Sequence, residues 1–222
     1  MKNNNKQALK SSNTKEVFFK AAMECYVKLG YALTTTTTVA EKAKLSRGAM
    51  VHHFPSKKVL VKESIDFINK KRIEQFKSDI NKFTKQAEKS EQGNQVSDGL
   101  DVYFNLLHSK YSVAYFELRM AARTDRYLAD ILLDADTEFE SVWMDLIKLA
   151  FPEWNDKNIT SLQFITDVVQ VMLEGLTLVN FTTDSERRTK LVLLYAKACV
   201  REMFVKDDID EVIKKYQLTK NK

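Results

Sequence analysis

Apolar residues near the start of the chain recur at helical spacing. They fall at positions i, i+4, i+7, i+8 and i+11, on one face of an amphipathic helix: Phe18, Ala22, Cys25, Tyr26 and Leu29. Asn13 offers an N-cap with Glu16 three positions later, and Gly30 follows the last apolar residue, as helix ends prefer. The pattern predicts a helix over residues 14–29, and the polar residues 1–12 are expected to be a disordered arm.

The next stretch, Thr34–Lys58, has the pattern of two short helices joined by a tight turn. Thr35 is expected to cap the first helix, and Ser46 the second, which runs over Arg47–His53. Pro55 cannot continue a helix, so the second one ends before it. This layout is a helix-turn-helix, whose second helix enters the major groove of DNA.

Beyond this stretch the apolar residues keep helical spacing, and no alternating strand pattern competes. A long helix is expected from Lys57, and residues 90–94 form the clearest loop. Further helices are predicted at about 95–108, 112–124, 126–150, 157–183, 184–205 and 208–217. The predicted fold class is therefore all-α, with a small N-terminal helix-turn-helix domain and a larger helical domain.

The charge is distributed unevenly along the chain. The net charge is +5 overall, but residues 1–60 carry 11 Lys and Arg against 3 Asp and Glu, and the remainder carries 24 against 27. A basic N-terminal end on a slightly acidic body predicts an anionic partner for that end. DNA fits both the charge and the helix-turn-helix.

The cysteines and the apolar stretches indicate the compartment in which the protein is expected. Cys25 and Cys199 lie far apart in apolar helical contexts, which indicates buried thiols in a reducing compartment. The polar N-terminus does not resemble a signal peptide, and the most apolar stretch, 162–181, is interrupted by polar residues. We therefore expect a soluble, cytoplasmic protein.

Enzyme chemistry finds no support in the sequence. There is no glycine-rich phosphate loop, nucleophile elbow or Cys/His cluster. The adjacent His52 and His53 are a poor metal pair, since neighbouring helical residues point about 100° apart. No catalytic residue, metal or cofactor is predicted.

The segment from about residue 14 to 62 resembles the DNA-binding domain of the TetR family of bacterial transcriptional regulators. The positions that match are Phe18, Ala22, Tyr26, Gly30, Tyr31, Thr35, Val39, Ala40, Ala43, Leu45, Ser46, Arg47, Gly48, His53, Phe54, Pro55, Ser56, Lys57 and Leu60. Two positions depart from the family pattern, because Val51 stands where Tyr is common and Lys44 where the turn usually has Gly. The resemblance implies a DNA-binding domain over residues 13–60 and a variable effector-binding and dimerisation domain over 61–222.

The resemblance also implies how the protein works: a homodimer binds a palindromic operator, and a small-molecule effector in the C-terminal domain releases it. The alternative is a DNA-binding factor of the same fold without ligand control, or an activator. The candidate DNA contacts are Thr35, Thr36, Lys44, Ser46, Arg47, Gly48, Ala49, Val51, His52, His53 and Lys57. For the threonines plain helix capping is the alternative, and for His53 packing on the domain core.

Aromatic, apolar and basic residues of the C-terminal part are candidates for the effector pocket: Tyr103, Phe104, Leu107, His108, Tyr111, Phe116, Arg119, Met120, Arg123, Phe139, Trp143, Phe164, Val168 and Met172. Core packing is the alternative for each apolar residue, and a helix cap for His108. Arg119 and Arg123 either hold an anionic end of a largely apolar ligand or pair with Asp125, Glu117 or Asp130. The candidate dimer interface comprises Leu162, Ile165, Val169, Leu173, Leu176, Leu191, Leu194 and Ala198, with the monomer core as the alternative.

Overall fold

A computed structural model of the chain describes residues 2–87, 95–151, 159–183 and 185–205. Within these ranges the regular structure is entirely helical, which confirms the predicted all-α class. The helices are α1 (Lys2–Leu33), α2 (Thr36–Ala43), α3 (Arg47–His53), α4 (Lys57–Ala87), α5 (Gln95–Leu107), α6 (Lys110–Ala122), α7 (Arg126–Ala150), α8 (Ile159–Asn180) and α9 (Glu186–Val205).

Most helices begin and end within three residues of the predicted positions, but the start of α1 was predicted wrongly. The helix continues back to Lys2 instead of starting after Asn13, so the expectation of a disordered arm over 1–12 was wrong for residues 2–12. No Gly or Pro occurs in this segment, and adding residues to an existing helix is far easier than nucleating one. The helix predicted at 208–217 lies outside the described residues.

The regular part of α1 ends at Gly30, as predicted. Gly30 has φ 80° and ψ 163°, a conformation that is essentially restricted to glycine. The side chain of the buried Thr34 then donates a hydrogen bond to the Gly30 carbonyl at 2.8 Å. This break turns the chain from α1 into α2.

Packing divides the chain into two compact units that differ from the predicted boundary after residue 60. Unit 1 comprises Met1–Gln75 and Ser109–Val142, and unit 2 comprises Phe76–His108 and Trp143–Lys222. The helix-turn-helix therefore shares its unit with α6 and the first part of α7. The division of 13–60 from 61–222 as functional domains stays a prediction.

The core of unit 1 joins the helix-turn-helix to the helices around it. Its side chains are apolar, with Phe18 and Phe54 edge to face at 5.7 Å between ring centroids. The hydroxyls of Tyr26 and Ser64, both buried, are 2.9 Å apart, so this polar pair is satisfied inside the core. This packing holds α2 and α3 rigidly in place.

In unit 2 an aromatic group forms the centre. The ring of Trp143 stacks on Phe76 at 4.8 Å and meets Tyr103 edge to face at 4.5 Å. The α8 segment Leu162–Asn180 is long and apolar enough to cross a membrane by length and composition alone. Core helices of soluble proteins pass the same test, and one face of α8, including Leu162 and Leu173, is buried in the unit.

Candidate functional site

The first turn of α2 is built by two threonines that cap each other. The Thr35 side chain accepts a hydrogen bond from the Thr38 backbone N–H at 3.1 Å, and the Thr38 hydroxyl oxygen accepts one from the Thr35 N–H at 2.8 Å. Thr35 thus serves as a cap, which was the alternative to a DNA contact. Within the described part of the chain, the hydroxyls of Thr36 and Thr37 have no hydrogen-bond partner, although both side chains are only half-buried. Thr37, which the sequence analysis did not select, is as available to a phosphate as Thr36.

The turn between the two short helices depends on Lys44. Its backbone lies in the left-handed region at φ 54° and ψ 38°, the conformation for which the family usually has glycine. The Lys44 N–H donates to the carbonyls of Ala40 and Glu41, which ends α2. The exposed side chain of Lys44 can then extend towards an anionic partner.

Ser46 begins α3 by accepting a hydrogen bond from the Ala49 N–H at 3.1 Å. Met50 points into the core and Ala49 packs partly against it, so this face of α3 is anchored. The opposite face is open to solvent. It carries Arg47, Gly48, Val51 and His52.

The fold has room for a side chain at position 48 and does not require the glycine there. A Cβ placed there would meet only the Ser46 hydroxyl, at 3.8 Å. Since glycine within a helix costs about 1 kcal/mol relative to alanine, the residue needs another explanation. Close approach of an external backbone, as in a DNA groove, provides one.

The two histidines of α3 have different surroundings. His52 is exposed, whereas the His53 ring lies 6.1 Å from Phe18 and 6.2 Å from Phe54. Burial, together with the positive neighbours His52 and Lys15, lowers the pKa of His53. The structure therefore favours the alternative in which His53 packs on the core and only His52 faces a partner. No group of His, Cys, Asp or Glu side chains among the described residues has the arrangement of a metal site.

Lys57 is held inside unit 1 instead of extending from it. Its Nζ donates to the Tyr31 carbonyl at 3.2 Å and lies 4.5 Å from the centre of the Tyr31 ring. Burial lowers the pKa of Lys57, and Asp125 acts in the opposite direction. A phosphate contact by Lys57 stays a prediction, and this one requires the side chain to leave Tyr31.

Tyr31 is the centre of a junction that the sequence analysis missed. Its N–H donates to Glu117 Oε1 at 2.8 Å, and its hydroxyl donates to Asp125 Oδ2 at 3.0 Å. Burial and this bond raise the pKa of Tyr31 to about 12. Because these partners are 86 and 94 residues away, no local pattern could have shown the junction.

Unit 2 contains a cavity of about 30 Å³ with almost entirely apolar walls. It is lined by Gly99, Leu100, Tyr103, Trp143, Ile147, Phe151, Ile165, Thr166, Val169 and Val200. Rings of Tyr103, Trp143 and Phe151 form much of the wall, and the Thr166 hydroxyl donates to the Gln163 carbonyl at 2.8 Å. A cavity needs about 10–15 Å³ by this measure to hold one water molecule. In this form it has room for two waters and not for a drug-sized ligand.

Few of the predicted pocket residues line this cavity. Trp143 and Tyr103 do, whereas Phe104, Leu107, His108, Phe164, Val168 and Met172 belong to unit 2 without lining it. The His108 ring donates from Nδ1 to the Phe104 carbonyl at 2.8 Å and so acts as a helix cap. The members assigned to unit 1 are Tyr111, Phe116, Arg119, Met120, Arg123 and Phe139.

The predicted anion-binding pair Arg119 and Arg123 is not assembled. Arg119 donates to Asp136 at 2.7 Å, a partner outside the expected set, and Arg123 caps the exposed end of α6. Asp136 also accepts from the Tyr115 hydroxyl at 2.7 Å. Burial, and then the charge of the neighbouring Asp136 carboxylate, raise the pKa of Tyr115. Neither arginine is among the residues that line the cavity of unit 2.

The candidate interface residues separate into two groups. Five lie buried within the chain itself and belong to the core, as the alternative held: Leu162, Ile165, Val169, Leu173 and Leu176. Leu191, Leu194 and Ala198 of α9 are exposed. On α8 the exposed residues, among those whose burial is described, are Gln163, Asp167, Val171, Gly175 and Val179, none of which the sequence analysis selected for the interface.

Comparisons with known proteins agree with this description. Residues 18–64 match the model of the bacterial regulatory proteins of the tetR family. A curated relative, the HTH-type transcriptional regulator QacR of Staphylococcus aureus, is 24% identical over 143 residues, which cover 64% of this chain and 71% of the relative.

Solved structures share the fold at lower identity. A structure described as a TetR-family transcriptional regulator from Mesorhizobium loti has a TM-score of 0.67 at 14% identity, covering 87% of this chain and 96% of that one. The multidrug binding protein EbrR complexed with ethidium has a TM-score of 0.59 at 17% identity, covering 86% and 97%. Residues 18–64 therefore match the DNA-binding domain of the tetR family of bacterial regulatory proteins, and the chain shares the all-helical fold of these solved structures.

Proposed function

We propose that this regulator is a cytoplasmic repressor that binds a palindromic operator as a homodimer and is released by an apolar small molecule. The observation that carries the proposal is the open face of α3. It presents Arg47, Gly48, Val51 and His52 from a helix whose other face is fixed in the core. A basic, solvent-exposed helix of this kind with a rigid support is suited to the major groove.

Each element of the surface has a separate role in DNA binding. Arg47 can make a bidentate contact with guanine, and Val51 can meet a thymine methyl group. Thr36 and Thr37 present free hydroxyls at the first turn of α2, where phosphate contacts fix the register. The contacts of one head are few, so strong binding requires two heads on half-sites roughly 34–36 Å apart.

The exposed faces of α8 and α9 are the observation that favours the proposed homodimer. Val171, Gly175 and Val179 recur at i, i+4 and i+8 along α8, and Leu194 and Tyr195 of α9 are each about two-thirds exposed. A Cβ on Gly175 would meet nothing within 4 Å in this chain, so the fold alone does not require glycine there. Both observations fit a second copy whose helices pack closely on this face.

The lining of the unit 2 cavity favours an apolar, aromatic ligand over a ligand with an anionic end. Its rings can stack on a flat molecule, and none of its lining residues is charged. Ethidium, bound by the structurally similar EbrR, is a flat aromatic cation. In this chain Glu174 accepts from the Tyr103 hydroxyl at 3.2 Å, which places a carboxylate beside one wall. A ligand of that size needs the wall side chains to move.

DNA binding is tested with duplexes selected from a random library and measured by fluorescence anisotropy at several salt concentrations. We expect a 20–30 base-pair palindrome bound by a dimer, with affinity that falls steeply as salt rises. Arg47→Ala should weaken binding by about tenfold or more while leaving the melting temperature unchanged. Affinity that is independent of salt, or no enriched sequence, would overturn the proposal.

The dimer and the ligand need separate measurements. Leu194→Glu should produce monomers in sedimentation experiments and weaken operator binding, and the uncharged variant Leu194→Gln separates loss of the apolar side chain from the added charge. Ethidium should raise the melting temperature and release the operator together. A regulator without ligand control is the second candidate, because the cavity is small, and it predicts that no compound of an aromatic panel does both.

A further inference from the structure

The DNA-contacting surface contains one acidic residue that works against its charge. Between residues 25 and 62, which include α2, α3 and the start of α4, Glu41 is the only Asp or Glu among seven Lys and Arg. Its side chain is 65% exposed, so it does not serve the core. A carboxylate at this position repels DNA phosphates and lowers affinity for every sequence.

Among the described residues the Glu41 carboxylate has one partner, which is Arg47, the predicted base-reading residue. Glu41 Oε1 accepts from Arg47 Nη2 at 3.4 Å, across the turn between α2 and α3. Arg47 is itself 73% exposed. Lys42, the adjacent cation, is engaged elsewhere, since its Nζ lies 2.8 Å from Glu24. The Glu41 charge is therefore directed at Arg47.

An exposed pair of this kind contributes little to stability, typically 0–1 kcal/mol. Its effect on recognition is of a different kind. A free arginine side chain has many rotamers and can reach phosphates of any sequence, but a guanidinium held at one Nη keeps donors for a partner with fixed geometry. Guanine, with its O6 and N7 acceptors side by side, is that partner in the major groove.

We propose that Glu41 is a specificity-determining residue: it holds Arg47 for a guanine contact, while its repulsion of phosphates lowers the affinity for all sequences alike. This proposal rests on the DNA-binding function proposed above. It assigns Glu41 a positioning role through Arg47, not a direct contact with a base. The regulator gives up overall affinity for discrimination between sites.

The test measures discrimination, not affinity alone. Wild type and Glu41→Gln are compared by anisotropy on the duplex that the wild type enriches from a random library, and on a scrambled duplex of equal length. We expect Glu41→Gln to bind the scrambled duplex about twofold tighter at low salt. The ratio of the two affinities should fall about fivefold, a partial loss of one bidentate contact. Glu16→Gln, which removes an equal charge from the ion pair with Lys20 on α1, should leave this ratio unchanged.

A second comparison tests whether Glu41 acts through Arg47. In an Arg47→Gln background, Glu41→Gln should no longer change the ratio, because the side chain it positions is gone. Overturning results are an unchanged ratio in Glu41→Gln, or an equal loss in the presence and absence of Arg47. If the wild type enriches no sequence at all, it is the proposed function that fails, and the two failures are thus distinguishable.

Discussion

The helix-turn-helix surface and the cavity of unit 2 differ in whether the side chains proposed for function also belong to the core. On α3 the residues proposed to contact DNA are exposed to solvent, and different residues, such as Met50, hold the helix in place. In the cavity the wall is also the core, since Trp143 and Tyr103 are 4% and 1% exposed. The proposed function and the stability would therefore rest on separate residues in the first region and on the same residues in the second.

This difference has a consequence for evolution and for engineering. Exposed residues such as Arg47 or Val51 can change with little effect on the fold, so the proposed DNA sequence preference could vary independently of stability. A change in the cavity alters packing at the same time as ligand shape. Four substitutions, taken from the largest expected effect to the smallest, examine this comparison.

Trp143→Ala should destabilise the protein by about 3–5 kcal/mol, because it removes a buried ring that packs on Phe76 and Tyr103. The thermal response to ethidium should be lost as well. Chemical denaturation and a thermal-shift assay measure the two effects. Retention of full stability with loss of the ligand response would mean that cavity and core are separable after all.

Gly30→Ala should destabilise unit 1 by about 1–3 kcal/mol, because alanine cannot adopt φ 80°, ψ 163° without strain. The added Cβ would also lie 3.0 Å from Glu117 Oε1, which accepts from the next N–H. Gly48→Ala is the matched control, with open space and helical geometry: its stability should be unchanged or up to about 1 kcal/mol higher, while its operator affinity falls. Urea denaturation and anisotropy together distinguish backbone strain from groove contact.

Val51→Tyr restores the residue that is common in the family at an exposed position of α3. Stability should stay within about 0.5 kcal/mol, since the Val51 side chain is 63% exposed. Operator affinity should change several-fold, about 1 kcal/mol, if the position faces DNA. Unchanged binding on the enriched duplex would show that α3 presents a different edge to the groove.

His53→Gln should make the protein less sensitive to acid by a small amount. The pKa of His53 in the folded protein lies below the usual 6.5, chiefly because burial disfavours the imidazolium. The unfolded chain therefore takes up the proton first, and the stability present above pH 6.5 is lost as the pH falls through that value. Denaturation at pH 7.5 and 5.5 should show a smaller loss in the variant than in the wild type. Equal losses would mean that the ring is hydrated in the folded state.

Local pattern was sufficient to predict the elements of the helix-turn-helix and the exposed face of α3. Helical periodicity placed α2 and α3 correctly, and Thr35, Ser46 and Gly30 all act where capping chemistry predicts. The exposed set on α3 was also predicted, because a short helix with one apolar side leaves little choice of outward face. Propensity failed only at the start of α1, where the absence of a breaker outweighed the polar composition.

What the sequence determined by itself is thus the all-helical class, the helix-turn-helix and the exposed face of α3, because helical periodicity and capping depend on residues close together in the chain. Only tertiary structure decided the rest: the cavity around Trp143, the role of Arg119, and the junction of Tyr31 with Glu117 and Asp125. These features join side chains from different helices. Amphipathic periodicity tells which face of a helix is buried but not what it is buried against, and that choice is made only when the helices pack.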